Sequence, residues 1–225
     1  MIAYEHRGAG RVRPASETAE RRRSVRAFWT RCEYTPNTPA ASYLTRRGLA
    51  WLMTCENICY RPDCPHPGGG TLPALVALVH DGEGAICAVH RTYLTLDGRK
   101  ADIGQVKCSL GPIAGGAIRL RPPAPELVIS EGLESSASAG LLLGLPAWSA
   151  IAAGNLARSL ALPPGVRSVV VAADADKAGI AAANAAALRW RREGRVVRVA
   201  TPDVPGMDFN DVLQARLAAA GVKHG

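Results

Sequence analysis

Ser168-Val-Val-Val-Ala-Ala-Asp174-Ala-Asp176-Lys-Ala-Gly179 is the stretch on which the reading of this chain turns. Its first six residues form a valine- and alanine-rich run, as expected of a strand buried on both faces. Two aspartates follow at once. After them an alanine-rich segment over about 178–193 reads as a helix that stops at Gly194. The same alternation continues in both directions. Upstream, Leu127-Val-Ile-Ser130 is a short strand leading into Glu131-Gly132 and a helix from about Leu133 to Leu143. Pro146 to Ile151 then reads as a strand, and 154–160 as a short helix. Downstream, Arg195 to Ala200 is a further strand and 210–220 a closing helix. Strand–helix repetition at this spacing specifies an α/β fold, a parallel sheet with flanking helices.

In an open parallel sheet, functional side chains gather where strands end at their carboxyl edge. Three strand ends carry acids here: Glu131 after the first strand, Asp174 and Asp176 after the central one, and Asp208 in the loop Gly206-Met-Asp208-Phe-Asn210-Asp211 after the last. With these strands side by side, the four carboxylates converge and raise one another's pKa. A divalent cation removes that cost. Hard oxygen ligands without nearby histidine favour Mg²⁺ or Mn²⁺ over zinc. Each acid also has an ordinary structural role open to it. Glu131-Gly132 suits a turn, and Asp176 and Asp208 both stand where a helix N-cap belongs. One acid per strand end, in this order, is what points to chemistry.

Val128-Ile-Ser-Glu131-Gly132, Val169-Val-Val-Ala-Ala-Asp174-Ala-Asp176-Lys-Ala-Gly179 and Gly206-Met-Asp208-Phe-Asn-Asp211-Val-Leu213 resemble the three motifs of the Toprim superfamily, most closely its primase-helicase branch. The resemblance covers residues from about 126 to the end. It implies that Asp174, Asp176 and Asp208, with Glu131, hold Mg²⁺ or Mn²⁺, and that Glu131 handles the proton of a ribose 3′-oxygen. The implied reaction is primer synthesis: nucleoside triphosphates joined on a single-stranded DNA template. Upstream, Pro73-Ala-Leu-Val-Ala77, His90-Arg91-Thr-Tyr-Leu94 and Lys107-Cys-Ser-Leu-Gly-Pro112 resemble the basic, strand-rich part that precedes Toprim in such primases. By that analogy His90, Arg91, Lys100 and Lys107, together with Lys177, are candidates for binding nucleic acid or nucleotide. Solvent-facing positions on alternating strands are the plainer account of the first four. A Toprim nuclease and a non-catalytic nucleic-acid-binding accessory are the competing functions. A topoisomerase is not expected, because Tyr4, Tyr34, Tyr43, Tyr60 and Tyr93 have no separate domain to present a nucleophile. Ser135, Ser136 and Ser138 lie in no Gly-x-Ser-x-Gly elbow, which argues against a serine hydrolase.

Ahead of the Toprim-like part the texture divides at Gly48. Residues 1–47 read as a basic helical arm, with a helix from about Ser16 to Arg31 and another from Pro39 to Arg47. Ser16 suits an N-cap, with Glu17 and Glu20 in the first turns and arginines following; a solvated face and a phosphate-touching arm both fit. Residues 48–122 read as a strand-rich α+β subdomain. Leu72 to Val79 and Ala85 to Leu94 are strands around the turn Asp81-Gly-Glu-Gly84, with a turn at 96–99 and a short strand at 117–120. Arg121-Pro-Pro-Ala-Pro125 interrupts helix and ladder alike, which places a boundary there and a third unit at 126–225.

Composition sets the outer bounds. The chain has 225 residues, 48% hydrophobic and 20% charged, and a formal charge of +8, which suits a polyanionic partner. No apolar run reaches the length of a membrane span, and Met1 to Pro14 lacks an apolar signal core, so no membrane role is expected and the reading is cytoplasmic. The six cysteines make no dense framework, so reduced thiols are expected. Cys55, Cys59, Cys64 and His66 lack paired Cys-x2-Cys knuckles, and their stretch reads as a plain loop without zinc. No Gly-x4-Gly-Lys-Ser/Thr occurs, so any helicase motor acts in trans.

Overall fold

The structure is a computed structural model that describes residues 15–221. The reading of Met1 to Pro14, and the side chains of Ser16 and Glu17, lie outside the described residues. Helix α1 (Ala15–Trp29) packs its Val25 and Phe28 onto one face of an antiparallel sheet, while Arg23 and Arg26 face solvent. Helix α2 (Pro39–Arg46) starts on Thr38, whose hydroxyl accepts from the amide of Ala41, and ends before Gly48 at φ 70°. A short 3-10 turn (Ala50–Thr54) leads into β1 (Ile58–Pro65), β2 (Thr71–His80), β3 (Ile86–Tyr93) and β4 (Lys107–Leu110), paired in that order.

The stretch around Cys55, Cys59 and Cys64 is therefore not the plain loop expected. From Ile58 it is β1, with Cys59 opposite Val76 on β2. Cys59 and Cys64 belong to the apolar layer beneath α1, whereas Cys55 packs in the next layer. Regular pairing of β1 is interrupted between Arg61 and Cys64. That irregularity spans Pro62, which has no amide to donate, and explains why the alternation of a strand was not legible there.

The second sheet holds β5 (Ile118–Arg119), β6 (Glu126–Ser130), β7 (Ala147–Ser149), β8 (Ser168–Ala172) and β9 (Val196–Ala200), in the order β5-β7-β6-β8-β9. The last four are parallel, and β5 runs antiparallel along the outer side of β7. Helices α3 (Leu133–Leu143) and α6 (Phe209–Ala219) cover one face. Helices α4 (Ala153–Arg158) and α5 (Lys177–Arg192) cover the other. Burial on both faces explains the unbroken apolar runs of β6 and β8. Trp148 and Trp190 are fully buried in the layer beneath α4 and α5.

One apolar layer joins the two sheets. Tyr43 and Leu44 of α2, Leu75 and Ala77 of β2, Leu133 and Ala137 of α3, and Phe209 and Leu213 of α6 all belong to it. The order of layers is thus α1, antiparallel sheet, α2 with α3 and α6, parallel sheet, then α4 and α5. Through the middle layer Lys107 of β4 comes to face Glu134 on α3. Among the described residues, no helix is long and apolar enough to cross a membrane.

Candidate active site

Strand order places the acids. Ser130 pairs with Ala172 across β6 and β8, so Glu131 and Asp174 leave neighbouring strands at the same edge. The loop after β9 folds back onto the loop after β8. Ala175 donates its amide to Met207 O at 2.9 Å, and Gly206 donates to Ala175 O at 2.8 Å, which brings Asp208 beside Asp174. Burial, the neighbouring Asp208 and then Glu131 and Asp176 push the Asp174 carboxyl up to about 6, while the Ser135 hydroxyl works the other way. The four acids chosen from the sequence therefore meet around one member.

Asp174 is also the member with an unmet need. Its Oδ1 is buried and has no hydrogen-bond partner, and the same is true of Ser130 Oγ at the end of β6. A buried carboxylate oxygen without a donor is costly unless something positive meets it. Asp176 and Asp208 are each half engaged. Asp176 Oδ1 accepts from the amide of Gly179 at 2.7 Å, capping α5. Asp208 Oδ1 accepts from the amides of Asn210 and Asp211 at 2.7 and 2.9 Å, and Asp211 returns the bond as a capping box. The cap roles and the site roles coexist, because capping uses one oxygen of each carboxylate.

Hard, anionic oxygens of this kind fit a divalent cation. Among the described residues, no three His, Cys, Asp or Glu side chains are gathered tightly enough to enclose a bare ion. The donor set therefore suits a cation that keeps several of its waters and takes few direct carboxylates. Gly179 keeps this edge compact, since a Cβ there would lie 2.8 Å from the backbone oxygen of Asp174. Behind Glu131, its carbonyl accepts from the Ile151 amide at 2.7 Å and from Ser149 Oγ at 2.8 Å. Ile151 holds φ 74° in making that bond, a left-handed conformation that β-branched residues rarely adopt.

Dual use of Asp208 gives a prediction. Asp208→Ala should melt below Asp208→Asn by the worth of the α6 cap, about 1 kcal/mol, because asparagine keeps that cap. Both remove the charge beside Asp174, so both lower the Asp174 pKa. Thermal melts separate the variants, and the titration of Asp174 followed by NMR groups them.

The basic candidates divide. Lys107 reaches across from β4 to the carboxylate of Glu134 on α3, at 2.9 Å, and Lys100 lies 3.9 Å from the same group. Tyr43 of α2 donates to its other oxygen at 2.5 Å. Glu134 is almost fully buried. Burial alone would raise its pKa, but Lys107 first and Lys100 next hold the carboxyl far below the usual range. His90 lies near this group, bonded to Ser109 Oγ at 3.0 Å. Burial first and Lys107 second lower its pKa to about 4, so it is neutral at pH 7. Arg91, the next residue on β3, points to the opposite face. Its Nη1 donates to Pro65 O at 2.9 Å and its guanidinium lies over the Phe28 ring, so it is not brought to the acidic edge. Lys177, exposed at the first turn of α5, follows Asp176 directly.

Glu134, Tyr43 and Asn210 were not among the sequence candidates. Asn210 is fully buried. Its side chain accepts from Arg47 Nη1 at 3.0 Å and donates to Arg47 O at 2.8 Å and Ser138 Oγ at 3.0 Å, anchoring the start of α6. The one available signal for Glu134 was a charge inside the small-residue run Leu133-Glu-Ser-Ser-Ala-Ser-Ala-Gly140.

Residues 126–219 match the Toprim domain family. The chain carries a Toprim domain. Residues 19–120, ahead of that Toprim domain, match a domain of unknown function, DUF7146. Comparison with curated proteins gives no match. Among solved structures, the chain is similar to a DNA primase domain from Pseudomonas aeruginosa (TM-score 0.57, 15% identity, 88% of this chain and 78% of that one). It is also similar to the E. coli primase catalytic core (TM-score 0.57, 16% identity, 86% and 75%). A third is the primase fragment of the bacteriophage T7 primase-helicase protein (TM-score 0.54, 16% identity, 98% and 79%). At these identities the likeness is one of fold. The mixed α/β architecture, a Toprim sheet preceded by a strand-rich part, is that of bacterial and phage primase cores.

Proposed function

We propose that this Toprim protein is a primase-like nucleotidyltransferase that joins nucleoside triphosphates into short primers on single-stranded DNA. The observation that carries the reading is Asp174: a buried oxygen without a donor, ringed by three other acids, with Lys100 of the two-lysine group close enough to interact with Asp208. Asp174, Asp176 and Asp208 would hold Mg²⁺ or Mn²⁺, with Glu131 as a further ligand. When bound, the metal supplies charge neutralisation on the phosphate oxygens. Glu131 takes the proton of the attacking 3′-hydroxyl. Lys100 and Lys107 on one side, and Lys177 on the other, meet the triphosphate, with neutral His90, bonded to Ser109, beside Lys107. Arg91 has no part in this scheme. The division into an arm at 1–47, a strand-rich unit at 48–122 and a Toprim unit at 126–225 belongs to the same proposal, as do action in the cytoplasm and a helicase acting in trans.

The test uses the whole chain, single-stranded DNA, labelled nucleoside triphosphates and Mg²⁺ or Mn²⁺, beside Glu131→Gln. Metal-dependent new oligonucleotides from the wild type, at least about a hundredfold reduced in the variant, are the expected result. Shortening of labelled DNA without synthesis would transfer the site to a nuclease. Binding alone, insensitive to metal, would leave an accessory protein.

A further inference from the structure

A cavity about 640 Å³ in volume lies away from the acids and shares no lining residue with them. Its place follows from strand register. Arg119 on β5 pairs with Trp148, and the Leu120 amide donates to Ala147 O, so β5 runs down the sheet as β7 runs up. Arg121, one residue further, thus falls at the amino end of the parallel strands, opposite the edge where Glu131 and Asp174 emerge. Trp51, Asn57, His80, Arg119, Arg121 and Pro122 form its working walls.

Three polar atoms of its lining residues are unspent. Trp51 Nε1, His80 Nδ1 and Arg119 Nε are buried polar atoms without a hydrogen-bond partner. Such a group is costly if nothing meets it. Three around one cavity suggest a missing hydrogen-bonding partner rather than chance. The two guanidinium groups are already oriented. Arg119 Nη2 donates to Asp81 O at 2.6 Å with its Cζ 4.3 Å from the Trp148 ring centroid, and Arg121 Cζ lies 4.9 Å from that of Trp51. The one acid in the lining, Glu56, is exposed. Burial first and Arg119 second lower the His80 pKa, so the ring is a neutral hydrogen-bonding group.

Fixed guanidinium groups suit a phosphate, and an indole edge-lined by proline suits a flat ring. The volume is within the range of small-ligand pockets. We propose that this cavity binds a nucleoside phosphate, with the base against Trp51 and the phosphate on Arg119 and Arg121. The site is independent of the carboxylate edge and of whether that edge makes primers. The nucleotide has two possible sources: a free mononucleotide, or one unit of a single strand.

The full chain is titrated, in EDTA so that the acidic edge is silent, with AMP and separately with fluorescein-labelled dA12. Arg121→Ser, at an exposed position, and Trp51→Leu should each weaken binding by about tenfold, as expected for loss of a charge-assisted bond or a stacked base. Trp51→Phe should stay within about twofold. Loss seen with both probes, or with AMP alone, assigns the site to free nucleotide; loss with dA12 alone assigns it to a strand. Failure of both probes to bind, or binding indifferent to both Arg121→Ser and Trp51→Leu, overturns the proposal.

Discussion

Asp174→Asn should melt at a higher temperature than the wild type in the absence of metal, and should lose the proposed primer synthesis by about 10³-fold. The two effects have one cause. The folded-state pKa of Asp174 is raised to about 6 by burial and by Asp208, above its ordinary value of 3.8. Below pH 3.8 the group is protonated in folded and unfolded chains alike and has no effect. Between there and about pH 6 the unfolded chain loses its proton first, so stability declines as pH rises, and above pH 6 the full penalty remains. Asparagine has nearly the same shape and no charge. Because the site is only half-buried, solvent screening reduces the gain to about 1 kcal/mol, or roughly 2–4 °C in a chain of this size. Mg²⁺ should raise the melting temperature of the wild type and leave that of the variant unchanged. A variant that melts below the wild type, or still gains stability from Mg²⁺, would remove Asp174 from the centre of the site.

That site was legible because a parallel sheet converts sequence order into spatial convergence. Glu131, Asp174 and Asp208 each follow a strand, and strands that pair in register leave their loops on one edge. Those strands were themselves legible because burial on both faces makes their apolar runs continuous. The antiparallel half was harder, for the same physical reason. Strand β3 is buried on both faces too, under α1 and over the middle layer, so alternation could not say which of His90 and Arg91 meets the acids. Strand β5, two residues long, pairs into the second sheet although it precedes the proline-rich segment; nothing local to Ile118 and Arg119 reveals that partner. Glu134 was hidden by its position. An acid in the first turn of a helix reads as a partner of the helix dipole, and only tertiary packing shows that its carboxylate is buried under two lysines and a tyrosine.

Glu134→Ala should be the most destabilising single change at the junction of the two sheets. The carboxylate binds together α2 through Tyr43, β4 through Lys107, and α3 on which it resides. Removing one member of a buried ionic group costs about 3–5 kcal/mol, because the remaining charges are left without a counter-ion. Here Lys107 and Lys100 keep about a third of their side-chain exposure, at 32% and 35%, and can turn partly to solvent. The expected loss is therefore about 2–4 kcal/mol, or roughly 4–15 °C. Glu134→Gln should lose less, since its amide oxygen still accepts from Tyr43, a phenol that burial and then Glu134 keep protonated. Acid titration supplies an independent check. A carboxyl held below its ordinary 4.5 stabilises the fold above that pH, and this stability is lost as pH falls through the folded value. Wild-type stability should consequently fall more steeply below pH 4.5 than that of Glu134→Gln. Adding Lys107→Met to Glu134→Leu should recover part of the loss, because the pair is replaced by apolar contact instead of being broken. Equal melting temperatures for the wild type and Glu134→Ala would mean that both lysines are satisfied by water, and that the two sheets are joined by the apolar layer alone.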